Sequence, residues 1–283
     1  METIRRMILG YVADSGRRWT PADLERTVRR HLGVNRRDIR RALRSLVEER
    51  LLDYTYLHGC SFVEVSFNRP VRIGRHIVLL PAGMRAASAA ADAVIRLTPG
   101  AAFGNGRHPT TRLALEGIAF LLHASDWRPP HGSAECLDIG TGSGVLALAA
   151  LAMGVRRAVG IDIESCSRFE ARANARLNGM QKRFEILPTE LADVDADFDM
   201  ILANLRPPTL KAILPHVCRC VRQGGAVVLS GFRTGDEADD LLEDYSREGM
   251  SCVWRESENG WQSAVLMTKT TFATARSASA SHR

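Results

Sequence analysis

The sequence predicts an α/β protein: a seven-stranded, mostly parallel, Rossmann-like sheet covered by helices, preceded by a small winged-helix-like domain. Three observations carry that prediction. Residues 135–164, ECLDIGTGSGVLALAALAMGVRRAVGIDIE, hold a short apolar run, a glycine-rich turn, an Ala/Leu-rich helix and a second apolar run, which is one βαβ unit of a parallel sheet. Apolar strand-like and amphipathic helix-like segments then alternate to residue 268, the pattern of a sheet with helical crossovers. The first 68 residues instead show three helical stripes followed by an alternating hairpin.

In chain order, Thr3 to Ala13 has helical periodicity through Ile4, Met7, Ile8 and Tyr11. Thr20-Pro21 is an N-cap followed by proline and opens a second helix. A third runs from about Asn35 to Arg50, with Ile39, Ala42, Leu43, Leu46 and Val47 on one stripe and Arg36, Arg37, Arg40, Arg41 and Arg44 on the others. LLDYTYLHGCSFVEVSF alternates around His58-Gly59 and reads as a hairpin. Residues 69–108 read as connecting strands with a turn at Gly74, an alanine-rich linker or short helix over Ala86 to Ala93, and an irregular loop through Gly100, Gly104 and Gly106. Pro109-Thr110-Thr111 starts a helix whose hydroxyls and free N–H groups offer an anion site. The Rossmann-like unit spans 109–270. After Asp162 it continues with helix Ser165–Asn178, strand Phe184–Leu187, strand Phe198–Asn204, helix Thr209–Val221, strand Ala226–Ser230, helix Asp236–Arg247 and two closing strands, Ser251–Glu256 and Trp261–Thr268. The tail 271–283 is low in complexity and reads as disordered.

Composition narrows the function classes. A chain of 283 residues with 45% hydrophobic residues has material for a sizeable core. No apolar run reaches membrane-spanning length and the first residues show no secretory signal. The six cysteines are scattered without metal-ligand spacing, so reduced thiols, no metal and a cytoplasmic location are expected. Of the net charge of +6, the first 70 residues carry +5, from 14 arginines against 9 acids. That domain is read as a contact surface for protein or nucleic acid, or as scaffold only.

The chemistry centres on the βαβ unit. Gly140, Gly142 and Gly144 let the chain turn tightly behind the first strand and approach a ligand closely. Asp162, 22 residues after Gly140, suits a ribose diol, since a carboxylate accepts two hydroxyl hydrogen bonds. Val145 stands where a dinucleotide fingerprint requires glycine. Asp138 on the glycine loop is awkward for a pyrophosphate but suits a cation. The spacing therefore favours S-adenosylmethionine over NAD. Asn204, at the carboxyl end of its strand, lies where ligands sit in open α/β sheets.

PGAAFGNGRHPTT, LDIGTGSGVLALAA, VGIDIE, ILANL and RQGGAVVLSGF follow one another in the order and spacing of the S-adenosylmethionine-dependent methyltransferases that modify ribosomal protein L-eleven, the PrmA family. From about Arg69 to Lys269 the chain resembles that family. The resemblance implies a class I methyltransferase fold and transfer of methyl groups to amino groups of a protein. It implies cofactor contacts at Thr111 (methionine end), Gly140, Asp162 (ribose) and Asn204 (transfer site). Asn204 is then the catalytic candidate, with Phe103, Arg107, His108 and Leu205 on the substrate side. Two features depart from the family. Asn105 and Arg107 replace threonines, and Arg107 is expected beside the pocket, where it would narrow substrate entry. The first 68 residues lack the ferredoxin-like pattern by which the family recognises its ribosomal substrate. Methylation of nucleic acid or of a small molecule therefore stays open, as does a regulator that only senses S-adenosylmethionine.

Overall fold

The computed structural model describes residues 1–13, 18–57, 59–66, 69–85, 92–100, 102–129 and 133–269. His58 at the hairpin tip, residues 86–91 of the alanine-rich stretch and the tail 271–283 lie outside them.

Three helices open the chain: α1 (Glu2–Ala13), α2 (Pro21–Leu32) and α3 (Arg36–Glu48). Thr20 Oγ1 accepts the Asp23 N–H at 3.1 Å, and Asn35 Oδ1 accepts the Asp38 N–H at 2.9 Å. Each satisfies a donor that a helix start leaves open. Their apolar stripes, among them Ile8, Leu24, Val28, Ile39 and Leu46, converge on one core. The antiparallel hairpin β1 (Leu52–Leu57) and β2 (Cys60–Val65) closes it, and Trp19, between α1 and α2, bridges to Val63 of β2.

Next comes a three-stranded sheet of β3 (Val71–Ile73), β4 (Ile77–Pro81) and β5 (Ala93–Leu97), in that order. Strand β5 begins at Ala93, where the alanine-rich stretch is read to end, and the sequence reading assigns no separate element to the rest of the strand. It pairs in parallel with β4, a partnership made by tertiary packing that a five-residue apolar run does not announce.

Helix α4 (Pro109–Ala119), continued by a π-helical turn to Ala124, leads into the main unit. This comprises β6 (Glu135–Ile139), α5 (Val145–Ala152), β7 (Arg157–Ile161), α6 (Ser165–Leu177), β8 (Phe184–Leu187), β9 (Phe198–Asn204) and α7 (Pro207–Cys220). Strand β10 (Val221–Arg233), α8 (Asp236–Arg247), β11 (Met250–Glu258) and β12 (Trp261–Thr268) complete it. The sheet order is β11-β12-β10-β9-β6-β7-β8, and β6 to β10 run parallel. The expected seven-stranded, mostly parallel sheet is therefore present, with β12 antiparallel to both its neighbours.

Alternation along the strands splits the core. Cys136, Met200, Leu202 and Val228 face α4 and α5, whereas Leu137, Ile201, Val227 and Leu229 face α7 and α8. Chain order reverses between β6 and β9, so the carboxyl ends of these strands frame the crevice where open α/β sheets bind ligands.

Candidate active site

A cavity of about 850 Å³ opens at that crevice, within the roughly 300–1,000 Å³ typical of small-molecule sites. Its floor is the glycine loop after β6. Gly140 and Gly142 have φ of +66° and +56°, in the left-handed region that other residues enter at a cost. A Cβ at Gly140 would stand 2.7 Å from Leu205 Cδ2, and one at Gly142 would stand 2.6 Å from the Phe103 carbonyl oxygen. Only glycine lets the loop lie this close to both neighbours.

Asp138 corrects one expectation. It shares the α5 side of β6 with Cys136, is 1% exposed, and is absent from the cavity wall. Its Oδ2 accepts the Thr141 hydroxyl at 2.7 Å and the Ala147 N–H at 3.3 Å. Burial pushes its pKa up to about 6, against those two hydrogen bonds. Asp138 braces the glycine loop from beneath and does not meet a cation in the cavity.

Strand β7 ends at Ile161, so Asp162 is the first residue beyond it and turns its carboxylate to the cavity wall. Oδ2 accepts the Gly142 N–H and Oδ1 the Glu164 N–H, both at 2.9 Å. Each oxygen keeps further lone-pair capacity. Ile163, 70% exposed, lies beside it on the wall, and Ile139, Leu191 and Ile213 add apolar surface.

Asn204 ends β9 opposite Ser230 of β10, and the Leu205 N–H donates to the Ser230 carbonyl at 3.1 Å. Both Asn204 and Leu205 line the cavity. Among the described residues the Asn204 side-chain amide has no hydrogen-bond partner. A Cβ at Gly231 would fall 2.2 Å from the Leu205 carbonyl oxygen, so a glycine in β10 sets where Leu205 lies.

Opposite Asp162 the rim is aromatic. His108 caps α4, its Nδ1 accepting the Thr110 N–H at 3.3 Å and lying 2.9 Å from Thr110 Oγ1. Phe103 packs on the imidazole at 5.4 Å between centroids and Trp261 meets it edge-on at 4.9 Å, while the Arg233 guanidinium covers Trp261 at 3.8 Å. Burial, then Arg112 and Arg233, lower the His108 pKa, so the ring is neutral at pH 7. With Nδ1 accepting, the ring hydrogen sits on Nε2.

Asp162, Gly140, Gly142, Asn204, Leu205, Phe103 and His108 thus converge on one cavity, whereas Thr111, Asp138 and Arg107 do not reach its wall. Thr111 is 1% exposed and its Oγ1 has no partner among the described residues. Arg107 departs from expectation by turning away to Glu64 of β2, Nη1 to Oε2 3.2 Å. Thr110, read in the sequence only as part of the Pro109-Thr110-Thr111 helix start, lines the cavity, and so does Trp261, which sequence reasoning did not select. The signal for Trp261 was present: Asn259-Gly260, both at positive φ, makes a tight hairpin turn, so β12 begins where the parallel strands end. Among the described residues no cluster of His, Cys, Asp and Glu has the make-up of a metal site, and no helix is long and apolar enough to cross a membrane.

Comparison with known proteins adds relatives. The family model described as ribosomal protein L11 methyltransferase (PrmA) matches residues 64–269. A ribosomal protein L11 methyltransferase of Geobacter sulfurreducens is 39% identical over 196 residues, 69% of this chain and 62% of that protein. One from Xylella fastidiosa is 38% identical over 197 residues, covering 68% and 62%. The chain therefore matches less than two thirds of the length of these curated relatives. The crystal structure of ribosomal protein L11 methylase from Lactobacillus delbrueckii subsp. bulgaricus superposes with a TM-score of 0.62 at 28% identity, covering 71% of this chain and 99% of that one.

Proposed function

The chain belongs to the ribosomal protein L11 methyltransferase (PrmA) family, and from that premise we propose that it is an S-adenosylmethionine-dependent methyltransferase acting on amino groups of an L11-type ribosomal protein. The observation that carries the reading is the convergence of the Asp162 carboxylate, the glycine loop and the unpartnered Asn204 amide on one cavity.

The residues present fit the cofactor. The free lone pairs of Asp162 would hold the ribose hydroxyls, and Ile139, Ile163 and Leu191 offer an apolar bed for a base. At the α4 end, Thr110 is the hydroxyl residue on the cavity wall, where the helix start would favour the cofactor's carboxylate. When bound, S-adenosylmethionine supplies a methyl carbon on a sulfonium, an electrophile with a good leaving group. The protein's task is then alignment and exclusion of water. Asn204 Oδ1 would accept a hydrogen of the incoming amine, turning its lone pair toward the transfer point. His108 acts as part of the acceptor wall, since with its hydrogen on Nε2 it offers no free basic nitrogen there. Proton release to solvent completes the step without a dedicated base.

Residues 1–68 are read as a winged-helix-like unit that helps select the substrate; three helices, the Trp19–Val63 bridge and the β1–β2 hairpin among the described residues support that reading. A nucleic-acid contact there is a second reading. It is favoured by Arg37, Arg41 and Arg44 on the exposed side of α3, which have no acidic partner among the described residues, whereas Arg36 and Arg40 pair with Glu25.

The test is incubation with S-adenosylmethionine and a purified bacterial ribosomal protein L11, read by intact mass. Methyl increments on L11 are expected. Tight binding of S-adenosylhomocysteine without methylation of L11 would remove the substrate assignment, and no binding would remove the cofactor assignment as well.

A further inference from the structure

The segment 102–108 that builds the acceptor wall is held from several directions. The Ser143 N–H donates to the Phe103 carbonyl at 3.0 Å, and Ser143 Oγ donates to the Gly104 carbonyl at 3.2 Å, tying the segment to the glycine loop. Glu170 accepts the Ala102 N–H at 3.0 Å. Arg112, paired with Glu258, donates to the carbonyls of Gly106 and Arg107. A Cβ at Gly106 would stand 2.3 Å from Leu79 Cδ1 of β4. One further tie crosses to the N-terminal hairpin. Arg107 leaves the cavity side and puts its guanidinium on Glu64 of β2, with Asp53 of β1 adding attraction. The two partners are 29% and 28% exposed. Glu64 is itself held by the Thr55 hydroxyl at 2.9 Å, and Asp53 by Ser66 at 2.5 Å.

We propose that Glu64, with Asp53, is a positioning residue for methyl transfer: by gripping Arg107, the N-terminal hairpin fixes Phe103 and His108, the acceptor side of the active site. This rests on the methyltransferase reading above. The physical basis is that a guanidinium does not discharge, so a half-buried arginine deprived of its carboxylate must move toward water. Its immediate neighbour in the chain is His108, which caps α4 and packs against Phe103 and Trp261. A displacement at Arg107 is thereby passed to the wall. The ribose acid Asp162 and the β9 terminus stand on other elements, and the segment's ties to Ser143 of the glycine loop do not involve Arg107, so cofactor affinity is expected to change little. The N-terminal domain is then a structural part of the active site as well as a separate docking module.

The test is a double-mutant cycle in the full-length chain with Glu64→Gln, Arg107→Gln and the pair, using hydrogen exchange of residues 102–112, calorimetry with S-adenosylhomocysteine, and methyl transfer to purified ribosomal protein L11. Each single substitution is expected to raise exchange in 102–112 and lower kcat about tenfold, with cofactor Kd within twofold of the unmodified protein. The pair is expected to be no worse than either single change, and Arg107→Lys to recover part of the rate. Unchanged exchange, or effects that multiply in the pair, would overturn the proposal. The exchange and Kd readouts decide this even if L11 is not the substrate, and loss of cofactor binding by the unmodified protein would instead defeat the functional reading.

Discussion

Replacing Asp162 by alanine removes the carboxylate that stands at the end of β7 on the cavity wall. In the native chain its two oxygens each accept one backbone N–H, from Gly142 and Glu164, and retain capacity for two ribose hydroxyls. A hydrogen bond to a charged group contributes about 1.5–3 kcal/mol, but water entering the emptied space would satisfy part of what alanine leaves. The expected loss in S-adenosylhomocysteine affinity is therefore at least ~1.4 kcal/mol, about tenfold. Because the Gly142 N–H also loses its acceptor, some of the loss will come from the loop itself. Comparing S-adenosylhomocysteine with its 2′-deoxyribose counterpart by calorimetry separates the two contributions. The native protein should discriminate between the ligands, and Asp162→Ala should bind both about equally. An alanine variant that binds as tightly as the native chain, or that keeps full discrimination, would refute the ribose assignment.

Asn204→Ala should leave S-adenosylhomocysteine binding within a few-fold while lowering kcat at least a hundredfold; single-turnover kinetics that stay native would show that the amide positions nothing. Gly142→Ala forces a side chain into left-handed backbone at φ +56° and against the Phe103 carbonyl, so denaturant unfolding should show a loss of order 2 kcal/mol, together with weaker cofactor binding; native stability would mean that the loop is freer than its contacts indicate. Asp138 has a folded-state pKa of about 6, above its ordinary value of 3.8. The folded form therefore keeps a proton that the unfolded chain has released, and stability falls as pH rises from about 4 to about 6, by up to ~3 kcal/mol. Asp138→Asn does not titrate, so the native-minus-variant stability should decline by that amount between pH 4 and pH 7, and a pH-independent difference would show that burial does not hold the proton.

Much of this arrangement was legible in the chain because its signals are local. The cap at Thr20 and the strand runs Phe184–Leu187, Phe198–Asn204 and Trp261–Thr268 each declare themselves within a dozen residues. Asp162 and Asn204 were readable for a related reason: β7 and β9 flank β6 in a parallel sheet, so their carboxyl ends frame the crevice at the end of β6. What could not be read depended on direction or on distant partners. Asp138 sits in the same motif as the glycines, but alternation along β6 sends it under the loop. Strand β5 exists through its pairing with β4. Trp261 and Arg233 reach the rim from β12 and β10, over 120 residues after His108. Arg107 looked like a substrate-side residue because its neighbours are, while its partner Glu64 lies 43 residues earlier in a different core.

The most direct test of the central claim is the crystal structure of the full chain with S-adenosylhomocysteine. The ribose hydroxyls are expected on the Asp162 carboxylate, the base among Ile139, Ile163 and Leu191, and the sulfur facing the Asn204 amide. A ligand bound elsewhere, or one whose ribose leaves Asp162 with only the Gly142 and Glu164 N–H groups, would contradict it.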